Sequence, residues 1–324
     1  MKAIGIKNWA TLLMILTAWT SIAEPQHNQQ RQSTVDVVQV GMRNVMYHYN
    51  DHIAAHLLRV QGKLVPREPG SLPVFDDKES FTLDLCYAEI AISTDALSGV
   101  LNDHVFSGAD APLKDLSLSS DKGTLKIRGK LHSKGDIPFE GEGAISATPD
   151  GQIRIQLRKI KAAKLPVKGI MDLLGVKIAD LIDTKKVRGI RAQDNDLILD
   201  PQEALPPPRI QGRVTSVRIV GDEIVQVFGT APASGTGSEL KGNYMAYRGA
   251  QLRFGKLTMS DTDMILLDMD PKDPFDFYLD HYKDQLVAGY TKTTPAFGLR
   301  VFMRDFNKLN PPRQRNSERP SERN

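Results

Sequence analysis

The chain has 324 residues, 42 Lys+Arg against 39 Asp+Glu, one cysteine and two tryptophans, with 40% hydrophobic and 6% aromatic residues. That length supports one large domain or two smaller ones around a real core. The composition excludes collagen-like, coiled-coil and low-hydrophobicity disordered classes; the near-neutral balance removes any global argument for nucleic-acid binding, and one cysteine excludes a disulfide framework or a multi-cysteine metal site.

Lys2 and Lys7 precede a short apolar run over 9–17, and Ser21-Ile22-Ala23 sets small residues at the third and last places before a cut. This pattern predicts a secretory leader over 1–23, cleaved after Ala23. The run is shorter than the roughly 20 residues of a permanent membrane span. The expectation is an exported protein, periplasmic or extracellular, left without tryptophan because Trp9 and Trp19 both lie in the leader. Residues 24–33 are polar and Gln-rich and read as a tether. Cys86 has no flanking histidine or basic cluster and is expected to pack as a small hydrophobe.

Period-two alternation predicts strands over 116–120, 124–132, 139–148 and 152–160, with Asp/Gly turns at Asp121-Lys122-Gly123, Lys134-Gly135-Asp136 and Asp150-Gly151. Two helices interrupt this pattern. One covers 95–106 behind Ser93-Thr94, and the other covers 168–182 with a broad apolar stripe after Pro166. Further strands are expected over 209–220 and 223–228, separated by Gly221-Asp222. Residues 229–242 are small and flexible in composition and read as a boundary or a long surface loop. Beyond it, 243–259 and 262–269 read as strands, 277–288 as a helix and 298–303 as a last strand, either extending the first sheet or forming a subdomain. From Asn310 the composition is that of a disordered basic tail. The organisation is then a β-rich domain over 34–228, the 229–242 loop, a smaller C-terminal α+β extension over 243–309 and the 310–324 tail. The fold class is α+β, with a long curved antiparallel sheet covered by a few helices.

The near-neutral total conceals polarity. From Arg154 to Arg191 there are eleven basic residues against Asp172, Asp180 and Asp183. Such a segment around an apolar helix suits anionic head groups, at about 1 kcal/mol per basic residue near the surface; Lys159, Lys161, Lys164, Lys168, Lys185 and Lys186 are the candidate anion-facing side chains, and a solvated face beside a core helix is the alternative. The opposite pole lies over 261–284, with eight aspartates against Lys272 and Lys283. Within it Asp268, Asp270 and Asp273 are weak candidates for a calcium ion. They lack the glycine and terminal glutamate of a helix-loop-helix site, and Asp-Pro steps also form ordinary turns.

No enzyme motif stands out. The seven histidines are scattered, and His52 and His56 lack the glutamate of a zinc-hydrolase helix. There is no Gly-x-Ser-x-Gly elbow and no phosphate loop with lysine. No catalytic residue and no cofactor is assigned. Asp76-Asp77 and Asp194-Asn195-Asp196 read as turns.

The meander around Leu125-Lys126-Ile127-Arg128-Gly129, the approach Lys164-Leu165-Pro166-Val167-Lys168-Gly169-Ile170 and the strand Asn195-Asp196-Leu197-Ile198-Leu199-Asp200-Pro201 carry a resemblance. Over about 81–228 the chain resembles the exported phospholipid-binding family that includes the mycobacterial lipomannan elongation protein, likened to tubular lipid-binding folds. The resemblance covers under half the chain. It implies a lipid held between a curved sheet and its helices and transfers no catalytic residue. The physics is compatible with that: an aliphatic groove binds acyl chains at about 0.8 kcal/mol per buried CH₂. Its lining is expected from Ile170, Leu173, Leu174, Ile178 and Leu181 opposite Leu125 and Ile127, residues that equally suit a closed core. The leading expectation is a non-enzymatic exported protein that binds a lipid or other amphiphile, with a possible anionic membrane surface as second partner. The alternatives are a structural or interaction protein of the cell envelope and a calcium- or carboxylate-dependent hydrolase.

Overall fold

The computed structural model describes residues 37–132, 136–162, 179, 184, 187–231 and 240–309, without the side chains at 159, 160 and 162. Strand β1 (Val38–His48) shows how the sequence writes the main sheet. Val38, Val40 and Met42 are buried while Gln39 and Arg43 face outward, and beyond Asn44 the buried set resumes one place later at Val45 and Tyr47. Asn44 has φ 53 and takes no rung in the ladder to β2 (Ala54–Pro66), where Arg43 pairs with Arg59 and Val45 with Leu57. The register to β2 is the same on both sides, so Asn44 and Leu58 drop out of the ladder together; what changes at Asn44 is the buried side of β1 and its other neighbour. Before it, β1 pairs antiparallel with β13 (Tyr244–Gly249); after it, β1 pairs parallel with β17 (Phe275–Tyr278).

Strand β3 (Phe81–Ser93) lies on the other side of β2, followed by β12 (Glu223–Gly229) and β11 (Val214–Val220). Beyond β13 come β16 (Thr262–Asp268), β19 (Leu299–Met303) and β18 (Tyr290–Thr293), and β10 (Arg209–Gln211) pairs with β3. Among the described residues this makes an eleven-stranded sheet. A second sheet of six strands runs β4 (Leu113–Asp121), β5 (Thr124–His132), β6 (Asp136–Ala147), β7 (Ile153–Ala162), β9 (Asp196–Leu199) and β8 (Ile190–Gln193). β14 (Leu252–Phe254) and β15 (Leu257–Met259) form a separate hairpin.

The meander is the pattern the sequence predicts. Lys122 and Gly123 both take positive φ between Asp121 and Thr124, the two-residue turn whose twist matches its flanking strands. Helix α1 (Thr94–Val100) is capped by Ser93, whose hydroxyl accepts from Ala96 N at 3.0 Å, and it runs into a π turn over Leu101–Val105. The two pieces cover the free edge of β4. Leu118 N donates to Ser98 Oγ at 2.8 Å, and Asn102 exchanges bonds of 2.9 and 2.8 Å with Leu116 N and O. An edge strand's unpaired backbone is thereby satisfied within the molecule.

The protein is mostly β-sheet with few, short helices, which fits the α+β class loosely. The single long sheet of the sequence reading is two large sheets. The 243–309 stretch continues the first sheet, and residues 229–242 join two strands of it. The expected helix over 277–288 is instead the end of β17, a 3₁₀ turn (Leu279–His281) and helix α2 (Tyr282–Val287). All four residues of β17 are buried, and burial of both faces erases the alternation that marks a strand. Cys86 is exposed: it is the extra residue of a bulge in β3, where Gln61 pairs with Tyr87 and Gly62 with Leu85. The predicted helix over 168–182 lies outside the described residues.

Candidate functional site

The inner face of the main sheet carries an apolar cavity of about 50 Å³. Its floor comes from alternate residues of three adjacent strands, Met42 and Tyr47 on β1, Leu57, Val60 and Leu64 on β2, and Phe81, Leu83 and Ile90 on β3. Tyr247 of β13, Ile210 of β10, Phe75 and Leu279 close the sides. Phe75 is held in place by the bond from its N–H to Arg253 O at 2.8 Å and by edge contacts to Tyr247, Phe254, Phe277 and Tyr282. The mouth lies where the lining is half-buried, at Tyr49, Leu83, Ile90 and Pro208. No charged side chain lines the cavity.

Five tyrosines surround this region, and the fold treats them in two ways. Tyr278 OH donates to Asp51 Oδ1 at 2.8 Å, and Tyr282 OH donates to Asp76 Oδ2 at 3.0 Å. Tyr47, Tyr49 and Tyr247 line the cavity, and among the described residues their hydroxyls have no hydrogen-bond acceptor. Burial pushes the Tyr49 phenol up to about 12. Burial, followed by the charges of Tyr49, Tyr247 and Asp280, holds Tyr47 well above the usual phenol range, and burial raises Tyr247. All three therefore remain protonated donors near neutral pH.

A polar chain crosses the main sheet at Asn44. His56 Nε2 lies 2.8 Å from Asn44 Oδ1, Asn44 Nδ2 donates to Asn243 Oδ1 at 2.8 Å, and Asn243 Nδ2 donates to Asp268 Oδ2 at 2.8 Å. Asn243 also donates to Asp273 O, so one side chain ties the start of β13 to the approach to β17. The chain's direction makes His56 the donor at Nε2. Burial lowers the His56 pKa, with Glu223 opposing, and burial raises that of Asp268 against hydrogen bonds from Asn243 and Asp270 N.

A histidine with a folded pKa below its unfolded value stabilises the fold above about pH 6.5 and loses that contribution as acid protonates it. Asp268, raised, contributes in the opposite sense, near and above the ordinary carboxylate range. We predict that stability falls as pH drops from about 7 to 5 and that His56→Gln, which keeps a donor for Asn44, flattens part of that fall. Thermal melts across the range check it, and equal acid losses in both proteins would refute it.

The sequence candidates fare unequally. Leu125 and Ile127 lie together on β5 but are 0% and 5% exposed, inside the main core cluster. Ile170, Leu173, Leu174, Ile178 and Leu181 lie outside the described residues, as do Lys164, Lys168, Lys185 and Lys186. Lys161 is exposed on β7, and Lys159 has only its backbone described. Asp270 and Asp273 do converge, around Lys308 of helix α3 (Phe306–Leu309). Lys308 Nζ lies 3.0 Å from Asp270, 3.1 Å from Asp273 and 2.7 Å from the buried Asp305. An ammonium occupies the point where those carboxylates would hold a cation, and its bonds to Asp305 and Asp270 raise its own pKa. Asp268 turns instead to Asn243 and Asp270 N.

His48 Nε2 pairs with the buried Asp276 Oδ1 at 2.5 Å, the base-and-orienter half of a nucleophilic triad. Its ring stacks on Tyr278, and among the described residues no serine, threonine or cysteine bonds to it. The pair therefore anchors β17 to β1. The cavity itself is invisible to sequence reading, since its lining runs from Met42 to Leu279; the one usable signal is the alternation of β1 and β2, which the left-handed Asn44 and the bulge after Leu57 interrupt. No protein-family model, curated protein or solved structure matches the chain.

Proposed function

We propose that the protein is an exported, non-enzymatic binder of a lipid or other amphiphile, which seats part of its apolar portion in the inner-face cavity of the main sheet. The single observation that carries this is the cavity: apolar walls, no charged lining residue and a mouth of half-buried Tyr49, Leu83, Ile90 and Pro208. Sites of this make-up, concave and apolar with a few polar groups, are where small apolar ligands bind. Support also comes from the leader-like residues 1–23 and from the family resemblance over about 81–228. The site differs from the groove expected at Leu125 and Ile127, which do not line this cavity.

A test follows from the mouth. Native mass spectrometry of the gently purified chain is expected to show a bound or exchangeable amphiphile, and Ile90→Trp, which fills the mouth, is expected to weaken binding at least about tenfold. Retention of full binding by Ile90→Trp, or no amphiphile on either protein, would sink the proposal. A second reading, a packed structural or interaction protein of the cell envelope, rests on size: about 50 Å³ is well under the roughly 150 Å³ of a dry protein cavity that takes up benzene. On that reading Ile90→Trp changes stability alone.

A further inference from the structure

We infer that the cavity selects a ligand presenting a neutral hydrogen-bond acceptor, an ester, ketone or ether oxygen, to the hydroxyls of Tyr47, Tyr49 and Tyr247. The inference rests on the amphiphile reading above and names the chemistry that reading leaves open.

A buried O–H without an acceptor carries a desolvation cost, and buried polar groups are almost always satisfied. Tyr278 and Tyr282, on the same aromatic wall, obey that rule by reaching carboxylates. Tyr47 and Tyr247 are 9% and 3% exposed, yet neither donates to a described residue, and nor does Tyr49. Their oxygens are also absent from the side-chain polar atoms that are wholly enclosed without a partner, which among the described residues are Arg154 Nε and Asp263 Oδ1. The phenolic oxygens are therefore not sealed off, and the three side chains share the lining of the cavity.

The chemistry of the wall narrows the acceptor. An anion entering here would meet no lysine, arginine or histidine in the lining. It would also lie near Asp280, whose charge reaches Tyr47. Burying an unpaired carboxylate in such surroundings is far costlier than burying a carbonyl. A ligand that is hydrocarbon throughout would leave three donors unmet. A neutral oxygen satisfies both conditions, and a cavity of about 50 Å³ suits such a group, with the rest of the molecule passing out between Leu83, Ile90 and Pro208.

Three probes of similar length decide it on the full chain: methyl hexanoate, nonane and hexanoate, titrated by ligand-observed NMR against wild type and Tyr47→Phe/Tyr247→Phe. Wild type is expected to bind the ester at least about tenfold more tightly than nonane or hexanoate, the scale of one or two well-made hydrogen bonds. The double variant, which keeps both rings, is expected to bring the ester to the level of nonane on the same protein. Equal wild-type binding of ester and nonane, or hexanoate at or above the ester, overturns the acceptor inference and leaves the amphiphile reading standing. Binding of none of the three overturns both. The comparison of probes on wild type needs no variant to fold.

Discussion

Replacing Gln285 with leucine is expected to lower the stability of the folded chain by about 4 kcal/mol, because three backbone groups, two of them buried, lose their partner at once. Gln285, on α2, is 0% exposed. Its Oε1 accepts from Tyr278 N at 3.0 Å, and its Nε2 donates to Asp276 O at 2.9 Å and Arg304 O at 2.7 Å. One amide therefore joins β17, α2 and the turn after β19, holding Tyr278 and Leu279 beside the cavity. Each unsatisfied group costs about 1–3 kcal/mol, and leucine supplies neither donor nor acceptor. Gln285→Glu, which keeps shape and acceptor but loses the donors, is expected to do little better. Urea unfolding checks both, and a loss under about 1 kcal/mol for Gln285→Leu would show that water enters and replaces the amide.

Leu125→Ala is expected to destabilise the chain by about 3 kcal/mol while leaving amphiphile affinity unchanged. Leu125 is wholly buried on β5, pairs across the ladder with Ser120 and Gly143, and belongs to the core beneath the second sheet. Truncation removes buried methyl groups and leaves a void that close packing closes only in part. The prediction separates the two places a ligand was expected. Were the second sheet the binding wall, the variant would change ligand affinity and leave stability nearly intact. A binding isotherm beside a chemical melt gives both readings, and an altered affinity with undiminished stability would contradict the placement of the site.

Local grammar made part of the fold legible. The β4 to β7 meander follows from alternation and from Lys122-Gly123 and Gly151 at left-handed positions. The helix after Ser93 follows from its cap and apolar spacing. Asp194-Asn195 forms the turn between β8 and β9, as its residue types suggest. Strands β1 and β2 escape a period-two count for a physical reason: the left-handed Asn44 in β1 and the bulge between Leu57 and Arg59 in β2 shift the buried set by one residue. Strand β17 was misread because Phe275 and Phe277, each 0% exposed, sit beside an equally buried Asp276 and Tyr278. A strand buried on both faces and a buried helix look alike over so short a span.

The site divides in the same way. The acidic run over 261–284 is plain in the sequence, yet whether it binds a metal turned on Lys308, some 35 residues beyond Asp273, arriving as a ready-made counter-ion. The sequence by itself determined the sheet-rich character, the meander, the capped helix and the charge polarity, all of which rest on spacings of a few residues. Only the tertiary structure decided that Leu125 and Ile127 belong to the core, that the 243–309 strands join the first sheet, and that Tyr47, Tyr49 and Tyr247 share one cavity. The reason is that burial and hydrogen-bond satisfaction are set by which strands become neighbours, and β1 changes neighbours at Asn44 through contacts about 200 residues away in the chain.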